Sequence, residues 1–360
     1  MPQNVSIPAE WAPRKALWTA WPSDASLWKE NLAPAREEFA GMVGALAMTG
    51  ERVRVLASGA EAVESARAAL PAGVEIVPQA FGDIWLRDTG PIFAKRGAEN
   101  VAFSFRFNGW GGKYVLDHDD EVAAAVAAKA EVPLIAHDFV LEGGAIEMDG
   151  EGTLLTTRQC LLNENRNPGW TEAEAERVLK AALGVEKILW LDEGLANDHT
   201  DGHIDNLARF VAPGIVVCQY PVDDDPNADV LDEIALTLAA MTDAQGRTLE
   251  VRRVASPGRV LSAEGDVMAA SHMNFIICGD EQGNRRYVAP AYNATFENAD
   301  LLMEFSKALE PGSSRSRDDS DPGDDAADIS MCEFVVSFIA SNAILTGGGS
   351  FHCITQQEPA

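Results

Sequence analysis

The chain has 360 residues, 46% of them hydrophobic, which is enough to bury a large core in one domain or two. A formal charge of −28 at pH 7 and a pI near 4.5 exclude a nucleic-acid partner, because a phosphate backbone would be repelled, and they steer small cations inward. Five cysteines, at 160, 218, 278, 332 and 353, form an odd set without paired spacing, which predicts reduced thiols and a cytoplasmic setting.

Met1 to Val5 carry no basic region ahead of an apolar run, so no export signal is expected, and no apolar stretch approaches membrane-spanning length. Trp18-Thr19-Ala20-Trp21-Pro22 reads as a short strand ending in a turn. The spacing of Phe39, Met42, Val43 and Leu46 predicts a helix over 34–48, with Glu37 and Glu38 on its other face. A strand at 53–56, a helix at 60–70 and a strand at 74–77 follow, then the polar run Gly82 to Pro91 and two strands at 91–95 and 100–107.

That order recurs. A helix at 119–130 and a strand at 133–140 lead to Leu141-Glu142-Gly143-Gly144 and strands at 145–149 and 153–157. A helix at 171–183 and a strand at 187–191 lead to Asp201-Gly202-His203-Ile204-Asp205 and strands at 206–211 and 214–219. A helix at 229–241 and a strand at 249–254 lead to Ser271-His272-Met273-Asn274 and strands at 274–278 and 286–290. A helix at 297–309 opens the last round, which closes on Gly347 to Cys353, with Ile344-Leu345 and Ile354 read as strand fragments. Polar signatures spaced by about 50–80 residues suit modules of one helix and three strands, and five modules around an axis would bring all five signatures together. A single open sheet would spread them along its edge. Residues 313–328 break the rhythm; rich in charge with Pro and Gly, they are expected to form a mobile acidic loop.

The signatures hold the chemistry. Gly347-Gly348-Gly349 let the backbone press close to a ligand just ahead of Cys353. Trp85 lies three residues before Asp88, Glu142 precedes two glycines, and His203 and Asp205 would face one side of an extended segment. Carboxylates converging on one ligand match a planar guanidinium, whose hydrogens pair with them two at a time. A thiolate can attack its carbon, and His203 has the right affinity for a proton to protonate the leaving amine. Asp205 could orient that histidine. Blander roles exist: Asp88 as a turn-former before Gly90-Pro91, Glu142 as a solvated tip, and His199, Asp201, His203 and Asp205 as metal ligands. Gly202 argues against the helical histidine pair common in zinc sites. His352, next to Cys353, would point away from it in a strand; His118, His137 and His272 lack chemical neighbours, and the other four cysteines read as packing.

At these residues the chain resembles the agmatine deiminase family of the guanidino-group-modifying superfamily. The resemblance is carried by 18–22, 85–91, 107–114 (with Trp110), Glu142-Gly143-Gly144, 163–168, 201–205 and 347–359, in order over nearly the whole length. It implies one catalytic domain over 1–360, a five-bladed pseudo-symmetric α/β propeller (the pentein fold), without metal or cofactor and often a homodimer. It implies hydrolysis of agmatine to N-carbamoylputrescine and ammonia through a thiouronium on Cys353, with His203 as acid and base and Glu142 supporting it. Asp88, Trp85 and Trp110 fall to substrate binding, and Asp205 moves from orienting the histidine to gripping the guanidinium. Two departures stand out: the 313–328 insertion, and His272 where the family pattern has tyrosine. The rivals are a deiminase of arginine or peptidyl-arginine, a silent binding protein for cationic metabolites, and a metallohydrolase built on His199 and His203.

Overall fold

In a computed structural model, which describes residues 5–279, 285–292, 299–310 and 336–360, the predicted rhythm becomes one repeated unit. An antiparallel strand pair is followed by a helix and a third strand parallel to the second, the helix being the crossover that a parallel neighbour needs. Ile92–Arg96, Glu99–Arg106, helix Val122–Ala130 and Leu134–Val140 form one such unit. Glu147–Met148, Thr153–Thr157, helix Glu172–Leu183 and Lys187–Leu191 form the next. Ala208–Ala212, Ile215–Tyr220, helix Ala228–Ala239 and Glu250–Ala255 repeat it, as do Ile276–Gly279, Arg285–Ala291, helix Ala299–Leu309 and Val336–Ala340. The fifth unit joins the chain ends: Thr355–Pro359 pairs antiparallel with Arg14–Ala20, helix Leu32–Met48 follows, and Val53–Ala57 adds in parallel.

The described strands thus form five sheets of three or four strands, not one open sheet. Each signature lies in the connection from the last strand of one unit to the first strand of the next; for 82–91 that last strand is a fourth one, Glu75–Pro78, which helix Ala60–Ala69 adds in parallel to Val53–Ala57. Apolar cores follow the units. Leu154, Leu179, Leu183 and Ile188 fill one, Phe210, Val216, Leu231 and Leu238 another, and Phe275, Tyr287, Phe305 and Leu309 a third. Helix Glu172–Leu183 shows how the sequence dictates its element. Thr171 caps it by accepting from the Glu174 amide, Ala175, Leu179 and Leu183 turn one face inward, and Gly184 ends it in the left-handed region at φ 73°. Among the described residues no helix is long and apolar enough to cross a membrane.

Three local expectations change. Ile344-Leu345 belong to a short helix, Asn342–Leu345, because the Glu38 carboxylate accepts from the amides of Asn342, Ala343 and Ile344 at 2.8–3.0 Å. Arg87 and Asp88 lie on a helical turn, Leu86–Thr89, and Ile204–Asn206 is a 3-10 turn where an extended segment was expected. The acidic segment at 313–328 lies outside the described residues.

Candidate active site

The five connections place the predicted side chains around one buried thiol. Cys353 sits in the turn before Thr355–Pro359, 3% exposed. Asn274, from the fourth signature, fixes it: its side-chain amide nitrogen lies 3.0 Å from Sγ, while its Oδ1 accepts from the amides of His352 and Cys353 at 2.9 and 3.1 Å. Asp205 Oδ2 lies 3.5 Å from Sγ and accepts from His352 Nδ1 at 2.8 Å. Asp88 accepts from the Gly144 amide at 2.9 Å and from Trp110 Nε1 at 2.9 Å, and its Oδ2 lies 3.8 Å from His203 Nδ1. Trp110 makes that contact from a left-handed backbone, φ 53°, a strained geometry of the kind that gathers at binding sites.

Glycine is required where the backbone crosses this cluster. A Cβ on Gly144 would stand 2.5 Å from His203 Nδ1, 3.0 Å from Asp88 Oδ1 and 3.2 Å from Asp205 Oδ2. On Gly349 it would lie 2.7 Å from the Trp85 ring and 3.1 Å from Cys353 Sγ. Trp85 is held by its indole nitrogen on Asp83 Oδ2 at 2.9 Å, and its ring walls the cavity that reaches Cys353. That cavity has a volume of about 200 Å³ and is lined also by Asp88, Trp110, Tyr114, His199 and Gly347 to Gly349. His203, Asp205 and Glu142 are fully buried. His203 and Asp205 reach the cavity through their contacts with Asp88 and Cys353.

The charges explain one another. Burial, reinforced by Asp205 and Glu142, pushes the Asp88 carboxyl well above the usual range. Burial likewise raises Glu142, against the pull of Arg166. It drives His203 down to about 3, so this imidazole is neutral. Burial, then Asp205 and Asp88, push the Cys353 thiol well up. Burial would raise Asp205 too, yet the hydrogen bond and charge of His352 hold it below its ordinary value. The cluster is therefore rich in acidic groups whose ionised forms are disfavoured until a cation joins them.

Glu142 is not a solvated tip but pairs through Oε1 with Arg166 Nε at 2.6 Å. The set His199, Asp201, His203 and Asp205 does not make a metal site, since no three of these bring ligand atoms within 4.8 Å of one another. Asp201 is instead held by Lys113, Asn165 and Arg166. His352 does not turn away from the site, because residues 351–354 form a turn and the strand alternation does not apply. Beneath Asp205, His352 Nε2 meets Glu10 Oε2 at 3.0 Å, Glu10 pairs with Arg209, and Arg209 pairs with Glu147 at 2.9 Å. Asn274, Arg166, His352, Glu10 and Arg209 had no predicted role. A carboxylate at Glu10 inside an apolar stretch, and an arginine in the 163–168 motif, were the available signals.

A profile of the Porphyromonas-type peptidyl-arginine deiminases matches residues 6–312. The chain belongs to that family. Agmatine deiminase of Stutzerimonas stutzeri is 37% identical, over 98% of this chain and 95% of its own. The agmatine deiminase of Pseudomonas aeruginosa is 35% identical over the same shares. A solved agmatine deiminase of Enterococcus faecalis superposes with a TM-score of 0.85 at 30% identity, covering 99% of this chain and 96% of that one. These relatives align over 98–99% of the chain.

Proposed function

We propose that the protein hydrolyses the guanidinium group of agmatine to N-carbamoylputrescine and ammonia, and that its five sheets are the blades of an α/β propeller with the active site at its centre. One observation carries the reading. Around the Cys353 thiol, Glu142 Oε2, both nitrogens of His203 and Asp205 Oδ1 are buried without a hydrogen-bond partner among the described residues. Leaving such groups unpaired costs about 1–3 kcal/mol each, and a planar cation with several N–H donors would satisfy Asp205 Oδ1 and the acceptor nitrogen of His203.

In this account Asp88 and Asp205 grip the guanidinium, and Trp110 fixes Asp88 while Trp85 shapes the entrance. The substrate brings the positive charge that makes a thiolate tolerable beside two carboxylates. The Cys353 proton passes to neutral His203, and Sγ bonds to the guanidinium carbon. That carbon releases ammonia as His203 returns the proton to the leaving nitrogen. Water then adds to the thiouronium carbon, giving a proton to His203, and the C–S bond breaks to free the product and the thiol. Glu142 supports His203 as its charge changes.

The tail of the substrate points to an amine without a carboxylate. Among the described residues lining the cavity there is no Arg or Lys. Arg87 is turned to the His352 carbonyl, Gln356 and Gln357, and Arg166 is held by Glu142 and Asp201. Arginine would leave its carboxylate unpaired, at a cost of a few kcal/mol. Comparing kcat/KM for agmatine, arginine and a blocked arginine peptide tests this. Agmatine should lead by at least about a hundredfold, the factor that cost implies; equal or reversed values would overturn the assignment.

A further inference from the structure

The reaction just described uses Glu142 and His203 but has no use for a third buried group beside them. Glu142, Cys160 and His203 each bring a ligating atom to one spot, all within 4.8 Å of one another, and all three residues are fully buried. Cys160 is a free thiol on the short helix Arg158–Leu161, held where Thr157 caps that turn by accepting from the Cys160 amide at 3.3 Å. Glu142 Oε1 is taken by Arg166, which leaves Oε2 open, and both His203 nitrogens are unpartnered among the described residues.

A thiolate, an imidazole and a carboxylate are the donor set of a borderline-soft divalent ion, and three protein ligands leave a tetrahedral ion one open position. Bonds of about 2.0–2.3 Å set its ligand atoms roughly 3.3–3.8 Å apart, so side-chain shifts of about an ångström would close the site. Hard ions such as magnesium and calcium, which seek oxygens, fit it poorly. We propose that Glu142, Cys160 and His203 form an inhibitory site for zinc or a similar cation, separate from the nucleophile Cys353. Binding would release the Cys160 proton to solvent and tie up His203, the group that moves protons in the reaction. The binding itself stands on these three side chains; only its inhibitory effect rests on the proposed hydrolysis.

The test separates the two thiols. Cobalt(II) added to full-length Cys353→Ser protein should bind once per chain and give a thiolate-to-cobalt charge-transfer band in the near ultraviolet. Adding Cys160→Ala should remove the band and weaken zinc binding, measured against a chromophoric chelator, by at least tenfold. Glu142→Gln should weaken it too, whereas Cys218→Ala should not. In the otherwise unaltered enzyme, Cys160→Ala should keep kcat/KM for agmatine within threefold and raise the half-inhibiting zinc concentration at least tenfold, with millimolar magnesium harmless to both. No band in Cys353→Ser, or zinc inhibition unchanged by Cys160→Ala, would overturn the proposal by placing the metal on Cys353 or nowhere.

Discussion

His352 Nδ1 holds Asp205 Oδ2 at 2.8 Å, on the very oxygen that lies 3.5 Å from Cys353 Sγ, so Asp205 Oδ1 alone is left open for a ligand. The other ring nitrogen of His352 faces Glu10 Oε2 at 3.0 Å, so the ring is clasped between two carboxyl groups. Ten residues from one end of the chain and eight from the other thus meet beneath the nucleophile.

Glu10→Gln keeps the shape of this support and removes its charge. Loss of such an outer hydrogen-bond partner costs about 10–100-fold where it has been measured behind metal ligands. Steady-state kinetics with agmatine should show kcat/KM lower by about that factor. Near-normal kinetics in a folded variant would mean Glu10 serves only Arg209.

Asp88→Asn deletes one anion from the guanidinium grip, and because the Gly144 amide donates to Oδ1 and Trp110 Nε1 to Oδ2, only one of these donors keeps its acceptor. A charge-assisted pair of about 3 kcal/mol is lost, so kcat/KM should fall at least a hundredfold. A near-normal value would reduce Asp88 to a turn residue.

Gly144→Ala puts a methyl 2.5 Å from His203 Nδ1. Overpacking of this kind costs about 1–3 kcal/mol, which a chain of this size survives, but it also fills the space between His203 and Asp88. Turnover should drop at least a hundredfold with a folded circular dichroism spectrum. Turnover within threefold of the parent would show that the two side chains need not approach.

Substrate binding should release a proton. Burial, Asp205 and Glu142 raise Asp88 in the free protein, and a bound guanidinium reverses that, so the complex holds fewer protons than the free site. By linkage, affinity then climbs with pH through the raised titration of Asp88 and weakens below it. Calorimetry of agmatine binding to Cys353→Ser, in buffers of different ionisation enthalpy, reads this directly. Affinity that does not rise as pH climbs above the ordinary carboxylate range, with no proton released, would contradict the charges assigned to the site.

Much of this was legible in the sequence because helix and strand periods are local. Thr171, the apolar face at Ala175, Leu179 and Leu183, and Gly184 define their helix without any neighbour. Strand Thr355–Pro359 was not legible as such, since its polar side chains go inward: Glu358 accepts from Trp18 Nε1 at 2.9 Å and pairs with Arg54 and Lys15. Asp88, Glu142, His203, Asp205 and Cys353 were singled out in the sequence because their types fit one chemistry, and the fold brings their connections together. Glu10 and Asn274 were missed because their partners, His352 and Cys353, lie hundreds or tens of residues away, and no local pattern records a contact closed by the fold.

In the proposed reaction Cys353 attacks the guanidinium carbon of agmatine. Acid-quenching the enzyme during turnover and measuring its intact mass tests it most directly. The account predicts an adduct equal to agmatine less ammonia, carried on the peptide containing Cys353 and absent from Cys353→Ser, which should also lose turnover. Steady turnover with no adduct, and a Cys353→Ser enzyme within tenfold of the parent, would contradict it.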